Sequence, residues 1–176
     1  MVLTEVINDQ PEVIIKQLQD DGSFPNSKFP AIIYKNSLKI MENDAATVED
    51  VFKSNAWFNG WRNGIYTYHH YHSTAHEVLG IYSGKVKVQL GGPEGITFEA
   101  STGDIIIIPA GVAHKNLGSS GNFGCVGAYP SGQTWDMNYG NKEERPQADQ
   151  NIAKVPLPET DPVYGKEGAV IKKWLS

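Results

Sequence analysis

The sequence lacks several features that define large classes of proteins. Its single cysteine, Cys125, has no second thiol with which to form an internal disulfide. No stretch approaches the roughly 18 apolar residues of a membrane span, and the opening residues MVLTEVINDQ have neither the basic region nor the apolar run of a signal peptide. Long runs of Lys or Arg are also missing, and 20 acidic residues outnumber 15 basic ones. We therefore expect a soluble, cytoplasmic protein that binds neither membranes nor nucleic acids.

Length and composition predict one globular domain. A chain of 176 residues has the ordinary size of a single domain, and a chain of that length buries roughly 70% of its unfolded surface, enough for a core without disulfides. Its 18 glycines and 10 prolines separate short stretches rich in Val, Ile, Tyr and Phe. This punctuation is typical of an all-β protein.

Several segments show the apolar patterns of β-strands. Lys85 to Leu90 alternates strictly between polar and apolar residues, and a glycine-rich turn then predicts a returning strand from Ile96 to Ala100. Four isoleucines at 105–108 predict a strand buried on both faces. Further strands are expected at Ala31 to Tyr34, Ile65 to His72 and Phe123 to Tyr129, whereas Glu12 to Leu18 fits either a helix or a strand.

One short helix is predicted, and it should pack outside the sheet. The run Thr47-Val48-Glu49-Asp50 has the form of a capping box, and apolar residues follow at helical spacing. Five of the ten prolines lie after Tyr129, so the chain from there to Ala169 is expected to be mostly irregular. The fold class predicted is therefore all-β with irregular N- and C-terminal extensions.

The histidines are clustered, and this is the strongest chemical signal in the chain. All five fall between positions 69 and 114. On a strand, His70 and His72 would project from the same side, whereas His69 has the opposite parity and is expected to be an exposed or packed residue. Antiparallel pairing can bring His114 beside the first two. Alternation alone does not decide between His76 and Glu77 as a fourth ligand, because a turn could reset it.

The spacing of these residues resembles the two motifs of the cupin family. Gly64-x5-His70-x-His72-x4-Glu77-x6-Gly84 has the form of the first motif without departure. Gly103-x5-Pro109-x-Gly111-x2-His114 is similar to the second motif through its histidine. The asparagine that closes the second motif is replaced by Gly118, with Asn116 standing two residues early. That asparagine is not a metal ligand in the family pattern, so the departure concerns the local turn or pocket lining and not the metal site.

The resemblance implies a small jelly-roll (double-stranded β-helix) barrel with an ion in its mouth, as in small single-domain bacterial cupins. We expect residues 1–176 to form one cupin domain with its barrel core at about 60–130. The resemblance assigns His70, His72, Glu77 and His114 to the metal, since the spacing to Gly84 selects Glu77. Three imidazoles and a carboxylate suit one divalent transition metal per chain, namely Fe, Mn, Ni, Co, Cu or Zn.

The resemblance also implies a function. We expect a metal-dependent enzyme, of the dioxygenase or isomerase type, that acts on a small polar or anionic metabolite. The alternative is a metal-containing binding or sensing module without turnover. A metal-free sugar epimerase is a weaker option, because four intact ligands would be superfluous there. A homodimer is expected, with Ala31 to Tyr34 covering a strand edge across the two-fold axis.

The predicted strand over Ile65 to His72 suggests how the pocket is built. Strand alternation would place two tyrosines on the ligand face, below the ion and inside the barrel. The residues expected to line the pocket or to support the ligands are Tyr66, Tyr68 and His76. Two of the isoleucines at 105–108 should line the facing wall of a mostly apolar cavity. Trp57, Trp61, Trp135 and Cys125 are expected to be core residues.

Overall fold

The computed structural model describes residues 2–176, and most of its secondary structure is β-strand. The strands are β1 (Glu12–Lys16), β2 (Ala31–Lys35), β3 (Trp57–Asn63), β4 (Glu77–Ser83), β5 (Lys85–Leu90), β6 (Ile96–Ser101), β7 (Ile105–Ile108), β8 (His114–Ser119) and β9 (Gly124–Pro130). The helices are α1 (Ala45–Ser54), α2 (Gln147–Lys154) and α3 (Ala169–Trp174), with short 3-10 turns at Leu3–Glu5 and Lys142–Glu144. The predicted all-β class is confirmed.

The strands form two antiparallel sheets. The larger sheet has the order β1-β2-β7-β4-β9-β3, and the smaller has the order β6-β5-β8. Leu79 and Ile106 from the larger sheet share one buried cluster with Val86 and Val88 from the smaller. The core between the sheets is thus apolar from both sides, and the arrangement is the jelly roll that the motifs predict.

Most of the predicted strands are confirmed. Lys85 to Leu90, Ile96 to Ala100 and residues 105–108 form β5, β6 and β7, and the apolar residues of β5 are the buried ones. The segments at Ala31 to Tyr34 and Phe123 to Tyr129 form β2 and β9 with ends shifted by one residue. The ambiguous N-terminal segment contains strand β1, which pairs with β2.

The strand predicted over Ile65 to His72 is wrong. This segment makes only two isolated bridges, between His70 and His114 and between Tyr71 and Asn138. Its alternating Tyr and His residues have the pattern of a strand, but its main-chain groups pair with separate partners. The Tyr66 carbonyl, for example, accepts from the amide of Asn116. The pattern therefore reflects a loop that folds over the end of the barrel.

The predicted role of Ala31 to Tyr34 at a dimer edge is also wrong. These residues belong to β2, which is paired on one side with β1 and on the other with β7. Both sets of main-chain groups are already used, so β2 has no free edge to offer. The outer strands of the large sheet are β1 and β3.

The predicted helix exists, but it begins three residues early. Asp44 is the N-cap, and its side chain accepts a hydrogen bond from the amide of Thr47. Val48, Val51 and Phe52 are buried, as their helical spacing predicts, and pack against the outer face of the large sheet. Close approach depends on Gly80 in β4, because a Cβ there would lie 2.5 Å from Val48 Cγ1.

The chain between Tyr129 and Ala169 is mostly irregular, as predicted, and contains helix α2 and one 3-10 turn. Helix α3 begins at Ala169 and is held by Trp174, whose indole stacks on Phe29 and donates to the Pro30 carbonyl. Asp161 is fully buried and accepts hydrogen bonds from the Tyr34 hydroxyl and from main-chain amides. Within residues 2–176, none of the helices has the length and apolar character to cross a membrane.

We predict that Gly80→Ala destabilises the protein by about 1–3 kcal/mol, because the added methyl group would overpack the contact between β4 and α1. Thermal unfolding followed by circular dichroism measures the effect. Gly121→Ala is the matched control, since a Cβ at Gly121 meets nothing within 4 Å. Equal melting temperatures for the two variants would show that the helix does not depend on this glycine.

Candidate metal centre

Three histidines converge where the loop before β4 meets the start of β8. His70 and His114 pair through their main chains, and the His72 carbonyl accepts from the amide of Gly111. All three imidazoles are buried, and one nitrogen from each lies within 4.8 Å of the others. The antiparallel pairing predicted to bring His114 beside the first two histidines is confirmed, and the three could hold a metal ion.

Each of these rings is oriented by a main-chain carbonyl at its Nδ1 atom. The distances are 3.0 Å from His70 to the Tyr68 carbonyl, 2.6 Å from His72 to Asp136, and 3.2 Å from His114 to Val112. A carbonyl oxygen can only accept, so each Nδ1 must carry the proton and donate it. In a neutral ring this leaves the lone pair on Nε2, which is the arrangement of metal-binding histidines.

Glu77, the first residue of β4, supplies a carboxylate to the same group. Its Oε1 lies 3.1 Å from His114 Nε2, and its Oε2 lies 3.5 Å from His72 Nε2. The Tyr129 hydroxyl donates to Oε2 at 2.9 Å, and the indole Nε1 of Trp61 donates to that hydroxyl at 2.7 Å. This chain of hydrogen bonds holds the carboxylate in one orientation.

Burial and mutual proximity shape the charges of the group. Burial, together with electrostatic repulsion from the neighbouring His114, lowers the pKa of His70 to about 3. Burial acts to raise the pKa of Glu77, but the charges and hydrogen bonds of His72 and His114 hold it well below its ordinary value. Burial acts to lower the pKa of His72, but the charge and hydrogen bond of Glu77, together with the hydrogen bond to the Asp136 carbonyl, raise it above its ordinary value. Glu77 is therefore a carboxylate at neutral pH and can act as an oxygen ligand.

A cavity of about 520 Å³ opens onto these four residues. Its other lining residues are Asn59, Gly60, Trp61, Arg62, Asn63, Gly64, Ile65, Tyr66, Leu79, Tyr129, Trp135 and Met137. The predicted wall of isoleucines is wrong, since none of residues 105–108 is among them in the described chain. Ile105 and Ile107 instead face α1, and Ile106 and Ile108 lie in the core between the sheets.

Tyr66 lies at the mouth of the cavity and Tyr68 stacks on it outside the lining, so neither lies inside the barrel. They are 50% and 42% exposed, and their rings stack with centroids 5.0 Å apart. Both rings contact the His70 ring, at centroid distances of 5.3 and 5.8 Å. The predicted position inside the barrel is wrong, because the segment that carries them is a loop and not a strand.

His76 is not brought to this group. It precedes Glu77 and lies on the other side of the sheet, where its Nδ1 accepts from the Ala110 amide at 2.9 Å. Its ring lies against Trp174, with centroids 4.9 Å apart, and it lines a second cavity together with Phe29. Burial lowers the pKa of His76 to about 4. His69, which was expected to face away from His70 and His72, also lies outside the group, and its ring contacts Phe24.

Several residues of the site were not predicted. Trp61 and Trp135 were expected in the core but line the cavity, whereas Trp57 and Cys125 are buried as expected. Burial raises the pKa of the Cys125 thiol well above its ordinary value, so the thiol is inert. Tyr129 gives no sequence signal, because an apolar strand accounts for it equally well.

A bulge and a glycine place the Trp61 indole. The register of β3 against β9 shifts between Phe58 and Trp61, and the indole lies on Gly127, where a Cβ would come within 2.2 Å of the ring.

The departure in the second motif coincides with another irregularity, since the β5–β8 register shifts there and the Asn116 side chain accepts from the Gly118 amide. That departure affects a strand end and leaves the histidines in place.

We predict that Tyr129→Phe weakens Zn²⁺ binding about 10-fold to 100-fold, because it removes the hydrogen bond that orients Glu77. Competition with a chelating dye measures the affinity. Tyr82→Phe is the control, since Tyr82 lies on the same strand as Glu77 but packs on the α1 side of the sheet. Equal affinities in the two variants would contradict the role assigned to Tyr129.

Comparison with known proteins agrees with this geometry. Residues 62–121 match the family model described as "Cupin domain". The chain is 40% identical over 157 residues to "Uncharacterized protein YjlB" of Bacillus subtilis (strain 168), a match that covers 89% of this chain and 93% of YjlB. The domain match contains the three histidines and Glu77, and the match to YjlB covers most of both chains.

Two solved structures show more distant likeness. One is procruciferin, an 11S globulin from Brassica napus, with 15% identity, a TM-score of 0.38 and coverage of 64% of this chain but 23% of the globulin. The other is acireductone dioxygenase from Bacillus anthracis with a cadmium ion in its active center, with 17% identity, a TM-score of 0.33 and coverage of 65% and 57%. TM-scores this low bear on neither the fold nor the function of this chain.

Proposed function

Because the chain belongs to the cupin family, we propose that it is a metal-dependent enzyme that holds one divalent transition metal on His70, His72, Glu77 and His114. Its substrate is a small polar or anionic molecule that enters the adjoining cavity. The reaction is of the dioxygenase or isomerase type. When bound, the ion would supply Lewis-acid or one-electron chemistry.

The observation that carries this proposal is the shared orientation of the three imidazoles. Each Nδ1 donates to a main-chain carbonyl, so every Nε2 faces the centre of the group and offers its lone pair there when the ring is neutral. Buried histidines with only a packing role have no reason to share this orientation. Beside them, Tyr129 holds the Glu77 carboxylate against two of the rings.

The donor set limits which ion fits. Three imidazole nitrogens and one carboxylate oxygen are too nitrogen-rich for Ca²⁺ or Mg²⁺ and suit Fe, Mn, Ni, Co, Cu or Zn. A divalent ion with one carboxylate keeps a net positive charge. An oxygen donor on the substrate is then the natural partner, and the apolar side chains of Ile65 and Leu79 on the cavity wall limit the water around it.

The alternative is a metal-containing binding or sensing module without turnover, and one observation favours it. Besides the proposed ligands, the titratable residues lining the cavity are Arg62, Tyr66 and Tyr129. Arg62 is paired with Glu49, and Tyr129 donates to Glu77, so of these three residues only Tyr66, at the mouth of the cavity, is left to act as an acid or base. Oxygen uptake by the iron-loaded protein with a bound ligand supports the enzyme, and tight binding without product supports the module.

Metal content tests the ligand assignment. We expect His72→Ala or His114→Ala to lose most of the bound metal, because each removes one of only four donors. Plasma mass spectrometry on protein made without a polyhistidine tag measures the loss. His69→Ala is the matched control and should retain the metal, since His69 lies outside the group. Unchanged metal content in His72→Ala and His114→Ala would refute the assignment.

We also propose that residues 1–176 act as one domain and that the protein is a homodimer in the cytoplasm. The outer strands β1 and β3 carry exposed apolar side chains, Val13 and Phe58, which a second copy would cover. Light scattering at micromolar concentration should give twice the chain mass of 19.3 kDa. A mass of a single chain would refute the dimer.

A further inference from the structure

The cavity beside the proposed metal ligands has four aromatic residues besides the histidines in its lining, and two of them flank the ligands. Trp135 flanks one ligand, with its ring centroid 5.6 Å from that of His72, and Tyr66 flanks another, 5.3 Å from His70. The other two are Trp61 and Tyr129. A molecule bound at the three histidines therefore has aromatic rings beside it on two sides.

Two of these rings are unusually open to solvent. Tyr66 is 50% exposed and Trp135 is 43% exposed, whereas Trp57 and the other large core side chains are almost fully buried. Tyr66 also stacks on Tyr68, which contacts Tyr139, so exposed aromatic surface continues around the mouth. A contiguous exposed apolar patch on a soluble protein marks a binding surface. Its place at the entrance indicates that the occupant is the ligand of this cavity.

The charges of the cavity restrict the ligand further. Arg62 is the one Lys or Arg among the lining residues of the described chain. Its Nε and one terminal nitrogen contact the two oxygens of Glu49, at 2.7 and 3.0 Å. The guanidinium is thus already paired, and a second anionic group on the ligand would compete with Glu49 for it. This disfavours phosphorylated or dicarboxylic molecules as ligands.

We propose that the cavity takes a molecule with a flat ring and a single oxygen-donor head group, the head directed to the histidines and the ring to Tyr66 and Trp135. The inference rests on the proposed metal function for the head group and on the aromatic wall for the ring. The volume of about 520 Å³ admits a compact ring compound.

Two hydroxamates test this inference, because they share one metal-binding head and differ in the ring. Benzohydroxamate carries a phenyl ring, and acetohydroxamate carries a methyl group. Calorimetry measures the affinities of both probes for Zn²⁺-loaded protein and for free Zn²⁺ in the same buffer. The ratio of the two affinities for the protein is then divided by the same ratio for free Zn²⁺. We expect this quotient to be about ten in favour of benzohydroxamate, because the ring stacks and is buried.

Variants locate the preference in the wall. Trp135→Ala and Tyr66→Ala should each reduce the ratio of benzohydroxamate to acetohydroxamate affinity at least threefold. Phe58→Ala is the control, because Phe58 is similarly exposed on β3 but does not line the cavity. Loss of the preference in Phe58→Ala as well would overturn the assignment to this wall.

The outcomes separate the two proposals. Equal binding of both hydroxamates to Zn²⁺-loaded protein overturns the ring inference and leaves the metal function standing. If loading with Zn²⁺ does not strengthen binding of either probe, the metal function fails. In that case the metal-free protein decides the ring inference. A preference for benzohydroxamate that is lost in Trp135→Ala still supports the aromatic wall, and the lack of any preference overturns the aromatic wall.

Discussion

The main-chain pairing of His70 with His114 is the constraint on which the site depends. Each amide donates to the carbonyl of the other residue, at 3.2 and 2.9 Å, and this joins the loop before β4 to the start of β8. The pairing brings the two rings to a centroid distance of 4.0 Å in a buried position. Burial and the neighbouring His114 ring lower the pKa of His70, so the His70 ring is neutral at neutral pH and its lone pair is available.

The C-terminal segment completes what this pairing begins. The Asp136 carbonyl orients His72, its carboxylate accepts from the Ser73 amide, and Asn138 pairs with Tyr71 through the main chain. These contacts lie outside residues 62–121, the part that matches the cupin domain. The barrel supplies the proposed ligands, and the proline-rich segment after it fixes the orientation of one of them and carries Trp135 and Met137 to the cavity.

The features of the fold that could be predicted from the sequence are those that leave a local pattern in it. Alternation in Lys85 to Leu90 and the isoleucines at 105–108 identify strands, because periodicity records which faces are buried. Motif spacing selects Glu77 over His76, and the structure places these neighbours on opposite sides of the sheet. The choice needed the motif, since the turn between His72 and Glu77 resets the alternation.

Other features depend on contacts between distant parts of the chain and leave no local pattern. The Tyr and His residues of 65–72 mimic a strand, but their main chain pairs with separate loops, so Tyr66 and Tyr68 lie at the mouth. The hydrogen bonds that link Trp61, Tyr129 and Glu77 join three strands. The prolines after Tyr129 correctly indicate loops but give no sign of the short helix α2, which is anchored by the buried Ala148.

The central claim is that the three Nε2 atoms and the Glu77 carboxylate share one ion. Anomalous diffraction from a crystal of the Zn²⁺-loaded protein, collected on both sides of the zinc edge, tests it most directly. The account predicts a single anomalous peak per chain at about 2.0–2.2 Å from each Nε2 and from one Glu77 oxygen. A peak at His69 or His76, or a peak bound through an Nδ1 atom, would contradict it.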